Sequence, residues 1–202
     1  MMEGVEEKAN EARYRVRRWI RALGLQKIPP YLPNLITFSG VVLTAISAYT
    51  IATGHFSWAF LIYISSQFMD ALDGAFAREY GLVSRAGAFL DSTTDRLNEF
   101  LWYLGMGWYF YSKNNGWAVL LLAVTMFSAF MVSYTRARIE GLGAECKVGF
   151  FTRLVRVYVM AAVIVFLIYS LWLALAFVGI LFLGSLITSL QRFFCGIKIL
   201  KQ

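Results

Sequence analysis

The sequence is poor in charge: only 15% of its 202 residues are Asp, Glu, Lys or Arg, against 59% that are hydrophobic. A water-soluble domain of this length exposes too much surface to carry so little charge, which excludes an ordinary soluble fold. Histidine occurs once, as His55, and cysteine twice, as Cys146 and Cys195. These leave no set of zinc ligands and no disulfide framework. Both cysteines fall near the side assigned below to the cytoplasm, so both are expected as free thiols, and His55 is expected in a solvated outer loop. Proline is confined to Pro29, Pro30 and Pro33, where it breaks the chain ahead of its first apolar block. There is no internal repeat and no low-complexity tract.

What the sequence does have is apolar blocks long enough to cross a bilayer, at roughly 20 residues per helix. Six spans are expected near Asn34–Thr53, Trp58–Arg78, Arg85–Tyr109, Trp117–Arg138, Phe150–Tyr169 and Trp172–Phe193. The last two are divided on length alone, because almost nothing polar separates them. Before them, Tyr14, Trp19, Ile20 and Leu23 are interleaved with Arg13, Arg15, Arg17, Arg18 and Arg21, a pattern for an amphipathic helix lying on the membrane surface. This charged start is not expected to be a cleavable signal. The expected architecture is therefore an all-α integral membrane protein, with an interfacial segment over residues 1–30 and a six-helix membrane domain over 31–202.

The net charge of +7 does not point to nucleic acid, because the basic residues flank the apolar blocks, where lipid headgroups would meet them. Of 19 Lys and Arg, only Lys113 falls on the side opposite the termini. The positive-inside rule then makes the side with both termini cytoplasmic.

All four aspartates of the chain lie between positions 70 and 95. Asp70 and Asp73 are three apart and share a helical face, as do Asp91 and Asp95, four apart. The short connection near Arg78–Arg85 makes the two helices antiparallel neighbours. At about 1.5 Å per residue the pairs reach similar depth, roughly 10 Å below the cytoplasmic surface. One charged side chain in a membrane costs about 3 kcal/mol on the permissive insertion scale, and like charges repel, so divalent cations are expected among them. Oxygen ligands without His or Cys select hard metals, Mg²⁺ or Mn²⁺. Gly74 and Gly87 lack side chains where a bulky ligand would approach. Internal pairing is a poor alternative, since Arg78, Arg85 and Arg96 do not easily neutralise four carboxylates. A cation or proton transporter also uses intramembrane carboxylates, but its broken helices and inverted repeats are not visible.

The run D-x-x-D-G-x-x-A-R-x8-G-x-x-x-D-x-x-x-D, filled by Asp70, Asp73, Gly74, Ala77, Arg78, Gly87, Asp91 and Asp95, resembles the signature of the CDP-alcohol phosphotransferase family. Every fixed position is matched, and the run Pro33-Asn34-Leu35-Ile36-Thr37 opening the first span extends the likeness. The resemblance implies a six-helix membrane enzyme, usually a homodimer, with a cavity open to the cytoplasm and a two-metal site. By motif position Asp70, Asp73 and Asp91 would be metal ligands, and Asp95 the general base and a further ligand. Asn34, Thr37, Asp73, Gly74, Ala77, Arg78 and Gly87 would contact or make room for the CDP of a CDP-linked lipid donor.

A second polar cluster bears on the acceptor. Ser133, Arg136 and Glu140 share a helical stripe at the end of the fourth span, and Arg153 and Arg156 open the fifth. The arginine fork suits phosphate oxygens, so these residues point to a phosphorylated polyol acceptor. The competing reading is positive-inside charge against headgroups, which suits Arg138 best. The runs from Ser133 to Gly143 and from Arg153 to Arg156 resemble the inositol-phosphate branch of the family. By that match Ser133, Arg136, Arg153 and Arg156 would bind the acceptor phosphate. Thr152 and Val155 stand where that branch often has glutamate, which leaves the pocket's finer shape open. The implied reaction moves a phosphatidyl or archaetidyl group from a CDP-lipid to inositol 1-phosphate, releasing CMP. The alternatives are a glycerophosphate acceptor, or CDP-inositol as donor to a di-inositol phosphate.

Overall fold

The computed structural model describes Arg18 and residues 28–201, so the amphipathic segment expected over 1–30 lies almost wholly outside the described residues. Among these there are six helices and no strands: α1 (Leu32–Ala52), α2 (Phe56–Glu79), α3 (Arg85–Ser112), α4 (Gly116–Gly141), α5 (Arg153–Tyr169) and α6 (Leu171–Leu200). Each coincides with one expected span. Most ends agree within about three residues, and α6 runs seven beyond Phe193.

The punctuation is local chemistry. Pro33 sits in the first turn of α1, where its missing N–H costs nothing. Gly54 and Gly81 follow α1 and α2 in the left-handed region (φ 81° and 66°), so the chain turns sharply there. Ser84 caps α3, its Oγ accepting from the Gly87 N–H at 3.0 Å. Asn115 caps α4 through the Ala118 N–H at 3.1 Å. Between α5 and α6 one extended residue, Ser170, suffices to separate the helices.

Three helices, α1, α4 and α6, are long and apolar enough to cross a membrane. Helices α2 and α3 carry the charged motif, and α5 has 17 residues, about 26 Å against a hydrocarbon layer of about 30 Å. The surface is inverted relative to a soluble protein. Thr44, Thr125 and Thr188 are fully buried while Trp117 and Trp172 are more than 80% exposed. Several buried hydroxyls return to their own helix, Thr44 to the Gly40 carbonyl at 3.0 Å and Ser128 to that of Val124 at 2.8 Å, while Ser47 reaches across to the Ala59 carbonyl at 3.0 Å. These hydroxyls are thereby satisfied without water, as lipid surroundings require.

The chain forms two compact units, Met1–Ala45 with Ile62–Asn98, and Ile46–Leu61 with Glu99–Gln202. In the first, Leu72, Ala75 and Phe76 of α2 form a small core against Ile28, Leu32 and Ile36. In the second, α4 and α5 both pack on α6. There Gly105 lies against the Ala48 carbonyl so closely that a Cβ would overlap the main chain.

One expectation is corrected. Cys146 and Cys195 are not free thiols but a disulfide, with Cα atoms 6.5 Å apart. The cause is the path of the α4–α5 loop, which folds back along α6. The Val148 carbonyl accepts from Arg192 Nε at 3.1 Å, and the Phe151 N–H donates to Thr188 Oγ1 at 3.2 Å. Gly149 makes the approach possible, because a Cβ there would strike the Thr188 side chain. Two cysteines 49 residues apart in sequence give no local sign of this.

Candidate active site

All four aspartates belong to the first unit. Their helical spacing brings three together: Asp70, Asp91 and Asp95 each place one carboxylate oxygen within 4.8 Å of the others. Oxygens this close could converge on one divalent cation by small side-chain adjustments, and Asp70, Asp91 and Asp95 are the residues that would hold it. The set is all oxygen, its three negative charges would otherwise repel, and it grades from buried to open. Asp95 is 7% exposed, Asp70 is half-buried and Asp91 is exposed. A hard divalent cation fits this arrangement, with one side left for a ligand.

Asp73 is set differently. It is buried, it accepts the Thr37 hydroxyl and the Gly74 N–H, and it feels the charges of Asp70 and Asp91. Thr37 thus holds Asp73 in place from α1, and its hydroxyl also reaches the Pro33 carbonyl at 3.0 Å. Asn34, one turn earlier, is exposed. Asp95 has a counter-charge in Arg96 at 3.6 Å.

The motif's small residues have physical roles. The Arg78 guanidinium lies over Gly74, 3.1 Å from where a Cβ would stand, so glycine there makes room for the arginine itself. Ala77 is half-buried and Arg78 exposed beside it. Gly87 is confined by the Ser84 hydroxyl at 3.1 Å from its would-be Cβ, within the cap of α3.

The second cluster belongs to the other unit. Arg136 is exposed and bound to Glu140 at 2.8 Å. Ser133 and Arg153 are half-buried. Arg156 is not open to solvent: it is 3% exposed, and its Nε and Nη2 donate to both oxygens of Glu99 at 2.7 and 3.2 Å. Two residues important here had no signal in the sequence motifs. Glu99 neutralises Arg156, and Arg192 of α6 is 6% exposed while experiencing the charges of Arg136, Arg156 and Glu140. An isolated arginine near the end of an apolar helix looks like a headgroup contact. Its bonds from Nη1 to the Val132 carbonyl at 2.8 Å and from Nε to the Val148 carbonyl at 3.1 Å show it turned inward.

Residues 30–194 match the family model of the CDP-alcohol phosphatidyltransferases. The chain belongs to that family. It is therefore a membrane-embedded transferase that cleaves a CDP-linked donor, and the transporter reading is set aside. Among its relatives is the archaetidylinositol phosphate synthase of Methanothermobacter thermautotrophicus, 33% identical over 78% of this chain and 77% of that protein. Two solved structures of the phosphatidylinositol phosphate synthase of Mycobacterium tuberculosis share the fold. One, with CDP-DAG bound, has a TM-score of 0.79 at 23% identity, covering 90% of this chain and 92% of that one. The other, with manganese and citrate, has a TM-score of 0.76 at 24% identity, covering 90% and 87%.

Proposed function

We propose that the protein transfers the phosphatidyl or archaetidyl group of a CDP-lipid to inositol 1-phosphate and releases CMP. The observation that carries the acceptor is the arginine cluster around Ser133, in which Arg136, Arg156 and Arg192 are set, among the described residues, against the carboxylates of Glu99 and Glu140. The carboxylate group and its cation account for the donor's pyrophosphate, so this surplus of positive charge calls for another anion. An acceptor that carries its own phosphate supplies it. The archaetidylinositol phosphate synthase at 33% identity supports the same choice.

In this reading Asp70, Asp91 and Asp95, with Asp73 beside them, hold Mg²⁺ or Mn²⁺, in a two-metal site when Asp73 takes part. Bound divalent metal neutralises pyrophosphate charge and stabilises the CMP leaving group. Asp95 accepts the proton of the attacking hydroxyl, as a buried carboxylate set within the cluster is placed to do. Thr37 fixes Asp73. Asn34, Gly74, Ala77, Arg78 and Gly87 bind or make room for the cytidine diphosphate. Ser133, Arg136 and Arg153 contact the acceptor phosphate, with Arg156 and Arg192 behind them.

All six helices span the membrane in this proposal, α2 and α3 with their charged ends toward the cytoplasm, and residues 31–202 form one catalytic domain. Lys113 alone among 19 basic residues lies opposite the termini, which supports a cytoplasmic location for both termini and the site. The family's usual homodimer is adopted for this chain.

The test is an acceptor panel. Purified protein is given CDP-diacylglycerol or CDP-archaeol, with Mg²⁺ or Mn²⁺, and inositol 1-phosphate, free inositol or glycerol 3-phosphate, with CMP release and product mass as readouts. Inositol 1-phosphate is expected to be used at least about 100-fold better in kcat/KM than free inositol, the loss of about two charge-assisted contacts. Equal use of free inositol, or preference for glycerol 3-phosphate, would overturn the acceptor assignment.

A further inference from the structure

Glu99 is the fourth residue after Asp95 on α3, yet it takes no part in the aspartate motif. It is 7% exposed and spends both carboxylate oxygens on Arg156, which is 3% exposed. Breaking a buried pair from one side leaves an uncompensated charge, so a pair this deep is a strong constraint on both partners. Arg156 is clamped on every nitrogen. Beyond Glu99, its Nη1 donates to the Phe151 carbonyl at 3.3 Å and its Nη2 to Ser133 Oγ at 3.5 Å. The guanidinium therefore ties three places in the second unit together: α3, Ser133 on α4, and the loop entering α5.

Two further features show that this clamp is more than packing. Its charge bears on Arg192, which Arg136 also faces, so without Glu99 three like charges would confront one Glu140. In addition Tyr103, one turn beyond Glu99, is 3% exposed within reach of the Glu99 and Arg156 charges. Its hydroxyl has no hydrogen-bond partner among the described residues. A buried donor left open beside a charged pair is a place for a further polar group.

We propose that Glu99 is a positioning residue for the acceptor phosphate: it holds the Arg156 fork in register with Ser133, so that the cluster completed by Arg136 and Arg192 has a fixed shape. This rests on the acceptor reading above and adds to it a residue that does not itself touch the acceptor. Being negative, Glu99 would repel a phosphate on direct contact, so its effect reaches the substrate through Arg156.

The experiment compares wild type, Glu99→Gln and Glu99→Asp, with CMP release measured against varied acceptor and varied CDP-lipid, and with melting temperature recorded in detergent. Glu99→Gln is expected to raise the acceptor KM about 10-fold, with kcat and donor KM within about twofold. Glu99→Asp should recover most of that loss, because it keeps the charge. A purely structural role would lower kcat or raise both KM values together, or would change nothing kinetically; either result overturns the proposal. Should Glu99→Gln not fold, the reciprocal exchange Glu99→Arg with Arg156→Glu restores the pair with its charges interchanged. A folded exchange variant with raised acceptor KM supports positioning, and one with wild-type KM refutes it. The wild-type acceptor panel stands apart from these variants. If it selects a different acceptor, the function reading fails, and the KM comparison is made on the acceptor actually used.

Discussion

Replacing Asp95 with asparagine is expected to lower kcat about 1,000-fold while CDP-lipid binding stays within about threefold of wild type. General-base catalysis contributes about 10²- to 10⁴-fold, and the amide is isosteric but does not take up a proton at neutral pH. Asp95 is the most buried of the three clustered carboxylates, at 7% exposure, with Arg96 3.6 Å away to hold its orientation. Asparagine keeps an oxygen for the cation, so the assay is run at saturating Mg²⁺ or Mn²⁺ to separate proton transfer from weakened metal binding. Donor affinity is read by equilibrium binding of CDP-lipid in the same metal. Turnover near the wild-type rate would remove Asp95 from the base role and leave it as a metal ligand alone.

Opening the Cys146–Cys195 bond, by reductant or by replacing both cysteines with serine, is expected to destabilise the protein by about 4 kcal/mol. The bond closes a loop of 49 residues, and loop-closure entropy gives about that figure for such a length. At about 2–4 °C per kcal/mol for chains of this size, the melting temperature should fall roughly 10 °C. What is fastened matters as much as the amount. The loop between α4 and α5 supplies the Val148 carbonyl that Arg192 binds and the Phe151 carbonyl that Arg156 binds. Differential alkylation of denatured protein, with and without reductant, shows whether the bond is present. Melting in detergent gives its worth. Two alkylatable thiols in unreduced protein would contradict the bond, and identical melting with and without it would contradict its stabilising role.

The parts of this molecule that could be read from the sequence are those in which cause lies close to effect along the chain. Asp70 with Asp73, and Asp91 with Asp95, are three and four residues apart, so helical periodicity alone aligns each pair. Loop length then brings the two helices side by side, and of the four carboxylates expected to converge, Asp70, Asp91 and Asp95 meet while Asp73 is turned to Thr37. The six helices were legible for the same reason, including the break at Ser170, where total apolar length demanded a turn that no polar residue marked.

What escaped is contact at a distance. Glu99 and Arg156 are 57 residues apart, and neither looks unusual in its local run. The place of Arg156 at a helix start suggests a phosphate contact, and nothing near it in sequence announces the buried carboxylate that tertiary packing sets against it. Arg192 gives no sign in the sequence, because one cation in an apolar helix resembles a headgroup anchor until its carbonyl partners are seen. The disulfide has no sequence signal because compartment is a statistical guide, while the bond depends on how one loop lies along α6.

A saturation mutagenesis map of this chain would contain two populations of intolerant positions that look alike. At Gly105 any side chain collides with the main chain at Ala48, so every variant is expected to fail, as are those of Asp95. They separate only when the amount of protein in the membrane is scored apart from turnover per molecule. Gly105 variants would vanish from the membrane fraction, and Asp95 variants would accumulate there inert. In a bundle whose helices touch backbone to side-chain position, intolerance marks geometry as readily as chemistry.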